Sequence, residues 1–141
     1  MSVVPEFTHA LKAAQREMNR RLNDAYRPLS LSCVQADALV ALDTDSALTL
    51  RGLSELVVAE SGNPSRLVDR LVQLGWVDRQ RDPSDRRNAQ LSLTDAGRDL
   101  VGQIYSARAP VLAEIEKEIS VSEIARLSEV LRGWALESPE R

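Results

Sequence analysis

"SGNPSRLVDRLVQLGWVDRQRDPSDRRNAQLSLTDAG" spans residues 61–97, and its reading decides the fold because the apolar spacing changes period within it. Leu67, Val68, Leu71 and Leu74 recur at helical intervals. Pro64 suits the first turn of that helix, where a missing N–H is no loss, so Asn63 is the natural N-cap and Ser61 the alternative. Gly75 is the C-terminal stop. Beyond it the period becomes two. "WVDRQR" and "NAQLSL" read as strands, the second with Ala89, Leu91 and Leu93 on one face, and "DPSDR" between them is turn chemistry. The stretch is a helix followed by a hairpin with its tip at Asp82 to Arg87, and Thr94 then caps a further helix.

Working toward the N-terminus, Thr49 caps "TLRGLSELVVAE", whose Leu50, Leu53, Leu56 and Val57 are expected to face inward. Ser32 caps a helix of about ten residues through Val34, Ala38, Leu39 and Leu42, broken by the polar "DTDSA". Ahead of it, Pro5 to about Tyr26 carries one apolar stripe, Phe7, Leu11, Ala14, Met18, Leu22 and Ala25, on a long helix that Pro28 ends. Toward the C-terminus, a long helix from Thr94 includes Pro110, which is expected to bend or break it by removing one backbone hydrogen bond. A final helix carries Ile124, Leu127, Leu131 and Trp134.

Two short capped helices joined by a tight turn, then a hairpin, then a helix make a winged helix-turn-helix: a mainly α fold with a small β-hairpin wing and long N- and C-terminal dimerisation helices. The 141 residues read as a single domain, with a winged lobe over about 30–94 and dimerisation helices over about 1–28 and 95–141. The terminal stripes are longer than a winged domain can cover. Packing two copies would bury them, with Phe7, Leu11, Ile115, Ile119, Leu127, Leu131 and Trp134 in the interface, and would set two recognition helices roughly 34 Å apart.

Charge is unevenly placed. The chain has a net charge of −3, yet six arginines and four carboxylates lie between Arg66 and Arg87, and four of those arginines fall within residues 79–87. A basic segment on an acidic body is the footprint of a protein that turns one face to a polyanion. In a winged helix the second short helix enters the DNA major groove, where Asn63, Ser65, Arg66 and Arg70 have side chains suited to base edges. Thr49, Arg51 and Ser61 complete that set at the margins of the helix-turn-helix. At the wing tip, Arg86 or Arg87 is the candidate for insertion into a narrow minor groove, with Asp85 orienting the guanidinium.

The segment "LSELVVAESGNPSRLVDRLVQLGWVDRQRDPSDRRNAQLSLTDAGRDL", residues 53–100, resembles the core of the MarR family of bacterial winged-helix regulators. The resemblance implies an obligate homodimer with interlocked first and last helices, a palindromic double-stranded DNA operator, and a pocket for a small-molecule effector between the dimer helices and the winged lobe. It also implies an Asp-x-Arg wing pattern that falls on Asp85 and Arg87. Where the family has a glycine in the turn, this chain has Val58, with Gly62 and Pro64 following, so the recognition helix is expected to begin late or with a distorted first turn. Met18, Tyr26 and Tyr105 read first as core or interface residues and alternatively, with Cys33, as candidates for the effector pocket. Cys33, near a helix start, has two readings, a small packed side chain or a redox-active thiol.

The expected function is a homodimeric, sequence-specific transcriptional regulator, a repressor relieved by a small effector. Its rival is a winged-helix protein–protein interaction module that does not bind DNA. Enzymatic activity is not expected. One cysteine, Cys33, and one histidine, His9, exclude a Cys/His metal cluster within the chain, and no glycine-rich phosphate loop precedes a helix. No metal or cofactor is expected. The chain carries neither a membrane-spanning apolar run nor the apolar core of a secretory signal, and it reads as cytoplasmic.

Overall fold

Ser32 begins α2, Cys33–Thr44, with a reciprocal cap: its Oγ accepts from Gln35 N at 3.3 Å, and its own N–H donates to Gln35 Oε1 at 3.1 Å. Two of the four unpaired N–H groups at that helix start are thereby satisfied. The structure, a computed structural model, describes residues 2–45, 48–56, 63–85 and 88–136. In chain order its other elements are α1 (Val3–Tyr26), a 3-10 turn (Arg27–Leu29), α3 (Leu50–Leu56), α4 (Pro64–Gln73), β1 (Val77–Gln80), β2 (Gln90–Leu93), α5 (Asp95–Glu118) and α6 (Val121–Leu136). The chain divides within α5 into two compact units, Met1–Arg108 and Ala109–Arg141.

The first unit holds the core. Ala36, Ala38, Leu39, Leu53, Val68, Leu71, Val77, Leu91, Val101 and Ile104 are all but fully removed from water, with Tyr26 among them. Helix α2 is buried on several sides, through Cys33, Ala36, Ala38, Leu39 and Leu42, rather than along a single stripe. Such burial of a leucine stabilises by about 1.5–3 kcal/mol relative to exposure.

β1 and β2 pair antiparallel, with Val77 opposite Leu93 and Arg79 opposite Leu91. Ala89, Leu91 and Leu93 are buried, as their alternation predicts. A backbone link that periodicity does not announce joins the residues before α3 to this hairpin: Leu91 N donates to Leu48 O at 3.0 Å and Leu50 N to Ala89 O at 3.1 Å. The helix-turn-helix is thereby tied to the wing through main chain.

The base of the hairpin closes around Gly75, which ends α4 at φ +82°, a conformation that favours glycine. Thr94 Oγ1 donates to Gly75 O at 2.6 Å and accepts from Gly97 N at 3.0 Å, while Thr94 N donates to Trp76 O at 3.0 Å. A Cβ placed on Gly97 would overlap that same Trp76 carbonyl oxygen. The first turn of α5 therefore lies directly on main chain.

Three expectations are corrected. Of the two outcomes expected at Pro110, a bend or a break, the break does not occur: α5 is helical from Asp95 to Glu118 with the proline inside. Leu56, expected inward, is 61% exposed, because Leu50 and Leu56 lie about 60° to either side of the buried Leu53 on a helix of 3.6 residues per turn. Leu74, expected in the buried stripe of α4, is 37% exposed at the residue that caps the helix end. Val57 lies outside the described residues.

In the second unit Ser120 and Glu123 form another reciprocal cap. Ser120 N donates to Glu123 Oε2 at 3.0 Å and Glu123 N to Ser120 Oγ at 3.3 Å. The hydrogen bonds from Ser120 hold the Glu123 carboxyl below its ordinary range.

Candidate nucleic-acid interface

Helix α4 begins at Pro64, so the expectation of a late start agrees with the structure. Asn63 is its N-cap, and its Oδ1 accepts from Arg66 N at 3.3 Å. One lone pair of that oxygen, and the orientation of the amide, are thus given to the cap. Val68 and Leu71 point into the core, leaving Asn63, Ser65, Arg66 and Arg70 exposed along the outer faces.

The partners of the charged residues decide what this face can do. Asp69 is within one turn of Arg66 and adjacent to Arg70, and was the natural competitor for their charge. It pairs with neither. Asp69 Oδ1 accepts from Arg79 Nη2 on β1 at 2.5 Å, and Arg70 Nη1 donates to Gln73 Oε1 at 3.2 Å. Among the described residues no ion pair forms to Arg66. A small cavity of about 160 Å³ between α4 and the hairpin is lined by Leu50, Ser65, Asp69, Arg79, Arg81 and Ala89.

Around this face the remaining expected contacts are less uniform. Thr49 is half-buried, and its Oγ1 accepts from Gly52 N at 3.1 Å as a helix cap. Arg51 is exposed and faces Glu55 at 3.7 Å, a surface pair of little energetic weight. In the hairpin turn, Asp82 Oδ1 accepts from Ser84 N at 2.9 Å and from Ser84 Oγ at 2.6 Å, bonds that hold its carboxyl below the ordinary range. Asp85 O accepts from Asn88 N at 3.2 Å. Ser61, Arg86 and Arg87 lie outside the described residues, so the wing-tip expectation and the alternative cap lie there too.

The remaining expected site residues fall into two groups. Phe7, Leu127 and Trp134 are exposed, at 46%, 43% and 73%, while Leu11, Ile115, Ile119 and Leu131 are half-exposed. Of the four effector candidates, Met18 is exposed, Tyr26 and Cys33 are buried, and Tyr105 is half-buried. Tyr26 and Tyr105 share one cation: Arg108 lies 4.7 Å from the Tyr105 ring centroid, and its charge favours the ionised form of the Tyr26 phenol. Burial nevertheless pushes the Tyr26 phenol up. The Tyr105 hydroxyl donates to Asp43 Oδ2 at 2.8 Å, and that bond raises its pKa. Cys33 Sγ donates to Asn19 O at 3.5 Å, and its backbone N–H to Asn23 Oδ1 at 3.0 Å. That burial fits the packing reading of the thiol. Among the described residues no group of His, Cys, Asp and Glu is placed to hold a metal ion.

Sequence reasoning missed Arg79 and the Asp43–Tyr105 bond. A signal for the first was present, since Arg79 shares with Val77 the inward face of β1.

The capped α3 and α4, the hairpin and α5 define a winged helix-turn-helix protein. The MarR family profile matches residues 31–89. Relatives include the multiple antibiotic resistance protein MarR of Escherichia coli, 28% identical over 118 residues, covering 83% of this chain and 82% of that one. Another is the HTH-type transcriptional regulator SarZ of Staphylococcus epidermidis, 27% identical over 121 residues, with 86% and 80% covered. Among solved structures, a MarR mutant from E. coli complexed with operator DNA superposes with a TM-score of 0.74 at 25% identity, covering 94% of this chain and 97% of that one. CouR from Rhodococcus jostii bound to p-coumaroyl-CoA shares the fold, with a TM-score of 0.82 at 22% identity, 100% and 99% covered. The chain thus resembles the MarR family over its winged lobe, residues 31–89, and is similar to named transcriptional regulators over more than four fifths of its length. No helix among the described residues is long and apolar enough to cross a membrane.

Proposed function

We propose that the protein is a homodimeric repressor that reads a palindromic operator in double-stranded DNA and is released by a small-molecule effector. The observation that carries this reading is the outer surface of α4. Ser65, Arg66 and Arg70 stand exposed on a capped helix beside a wing, and Asp69, the acid one turn from Arg66, is taken by Arg79. Arginine forks onto guanine edges in the major groove, and the fork is what a lysine lacks. The operator complex of the E. coli MarR mutant supports the same use of the fold.

In this reading residues 30–94 form the DNA-binding lobe, and residues 1–28 and 95–141 carry dimerisation. Arg87, by its place in the Asp85-x-Arg87 pattern, is the minor-groove arginine. Apolar residues exposed in each unit, Val3, Val4 and Phe7 in one and Val130 and Trp134 in the other, are the surface a second copy covers. Effector release is taken from the family, and the Tyr26–Arg108–Tyr105 cluster is where this chain places polar groups against the core.

The test is selection of duplexes from a randomised library by the purified protein, followed by binding at several salt concentrations. The expected result is enrichment of a two-half-site palindrome, with affinity that falls steeply as salt rises because neutralised phosphates release counterions. Failure to retain any duplex at low salt would overturn the reading in favour of a protein–protein module.

A further inference from the structure

Arg79 is a strange residue for the inner face of a strand. Its side chain is only 17% exposed, it stands opposite the buried Leu91, and its Nε is buried with no hydrogen-bond partner among the described residues. A guanidinium so placed is held in water-poor surroundings and depends on its one carboxylate, Asp69, which is itself 63% exposed on the recognition helix. The competing pair, Asp69 with Arg66 at i−3, would be solvated and weak. The partly buried pair wins, and that choice leaves Arg66 without a carboxylate among the described residues.

We propose that Arg79 is a positioning residue for sequence readout: by occupying Asp69 it keeps the Arg66 guanidinium available to a base edge. The proposal rests on the DNA-binding reading above. Arg79 need not touch DNA. Its effect passes through Asp69, so removing both members of the pair should undo the harm of removing Arg79 alone, an outcome that neither a direct phosphate contact nor a purely structural role produces.

The experiment uses the full chain, with Arg79→Met, which keeps an apolar stem in the same space, Asp69→Asn, and the double variant. Two probes are compared at fixed salt: a duplex the wild type selects from a randomised library, and a scrambled duplex of equal length. Arg79→Met is expected to lower the ratio of the two affinities by about tenfold, the scale of one lost bidentate base contact. Asp69→Asn, whose amide oxygen still accepts from Arg79, and the double variant are expected to stay within about twofold of the wild-type ratio, the usual tolerance of additivity.

A second readout needs no DNA. Nitrogen relaxation of the Arg66 side chain should show a mobile guanidinium in the wild type, a restrained one in Arg79→Met, and a mobile one again in the double variant. Equal Arg66 mobility in wild type and Arg79→Met overturns the proposal, as does a double variant no more selective than Arg79→Met. If the wild type itself selects no duplex, the DNA reading has failed, and the Arg66 mobility alone decides whether Arg79 governs that side chain. Should Arg79→Met not melt cooperatively, Arg79→Gln is read in the same way.

Discussion

Gly97 and Gly102 sit within two turns of each other on α5 and are held there by opposite circumstances. A Cβ at Gly97 would overlap the Trp76 carbonyl oxygen, and that oxygen cannot retreat because it already accepts from Thr94 N. At Gly102 an added Cβ meets nothing within 4 Å. Gly97→Ala should therefore destabilise by about 1–3 kcal/mol and lower Tm by roughly 3–10 °C. Gly102→Ala should raise stability by about 0.5–1 kcal/mol through the lost backbone entropy of glycine. Thermal unfolding of the two variants checks both signs, and a Gly97→Ala protein as stable as the wild type would mean that the α5 approach is looser than described. Glu17 offers a second test at this scale. Hydrogen bonds from Arg20 and then Arg21 lower its carboxyl to about 2. Because the folded value is depressed, whatever the cluster contributes is present above the ordinary carboxylate range and is lost as pH falls through about 2. Carbon-detected titration should find Glu17 ionised at pH 3, where a carboxyl of ordinary pKa is largely protonated.

At the scale of elements, caps and periods explain most of what was legible in the sequence. Ser32, Asn63 and Thr94 each announce a helix start because the signal is local, a short polar side chain ahead of an apolar stripe, and the structure uses each one as a cap. The hairpin was legible for the same reason, through Ala89, Leu91 and Leu93. What was not legible involves separations that no periodicity encodes: the Leu48–Leu91 main-chain link, the Asp69–Arg79 pair and the Tyr105–Asp43 bond across 62 residues. Leu56 and Leu74 misled because they lie at the margins of their stripes, where helical spacing permits either face. Helix α4, at ten residues, is too short to be stable by propensity and depends on its cap and its packing. Asn63→Ala should cost about 1 kcal/mol of stability, while Asn63→Ser, which keeps an acceptor, should cost less. Under the proposed function the same Asn63→Ala change should weaken operator binding, since the turn that presents Ser65 and Arg66 would fray. Equal DNA affinity for Asn63→Ala and wild type would show that DNA itself orders that turn.

For the whole molecule, the distribution of exposed apolar side chains is the argument for a second copy. Val3, Val4, Phe7, Val121, Leu127, Val130 and Trp134 are all exposed in the single chain, in a protein whose other large apolar residues are mostly in the core of the winged lobe. A monomer has no use for them, and apolar side chains exposed along the helices of each unit mark an interface. A charge at one of these positions tests the proposed dimer without disturbing the fold, because the position is solvated in the monomer. Phe7→Asp and Leu127→Asp should each melt with little change in the monomer's cooperative unfolding. In a twofold dimer each substitution enters twice, so two unpaired carboxylates would have to be desolvated, at a cost of several kcal/mol. Sedimentation should then show a shift from twice the chain mass of 15.6 kDa toward a single chain. DNA affinity should fall with it, although neither residue lies in the winged lobe, because a monomer engages only one half-site. A variant that remained dimeric and bound its operator as the wild type does would place the interface elsewhere on the chain.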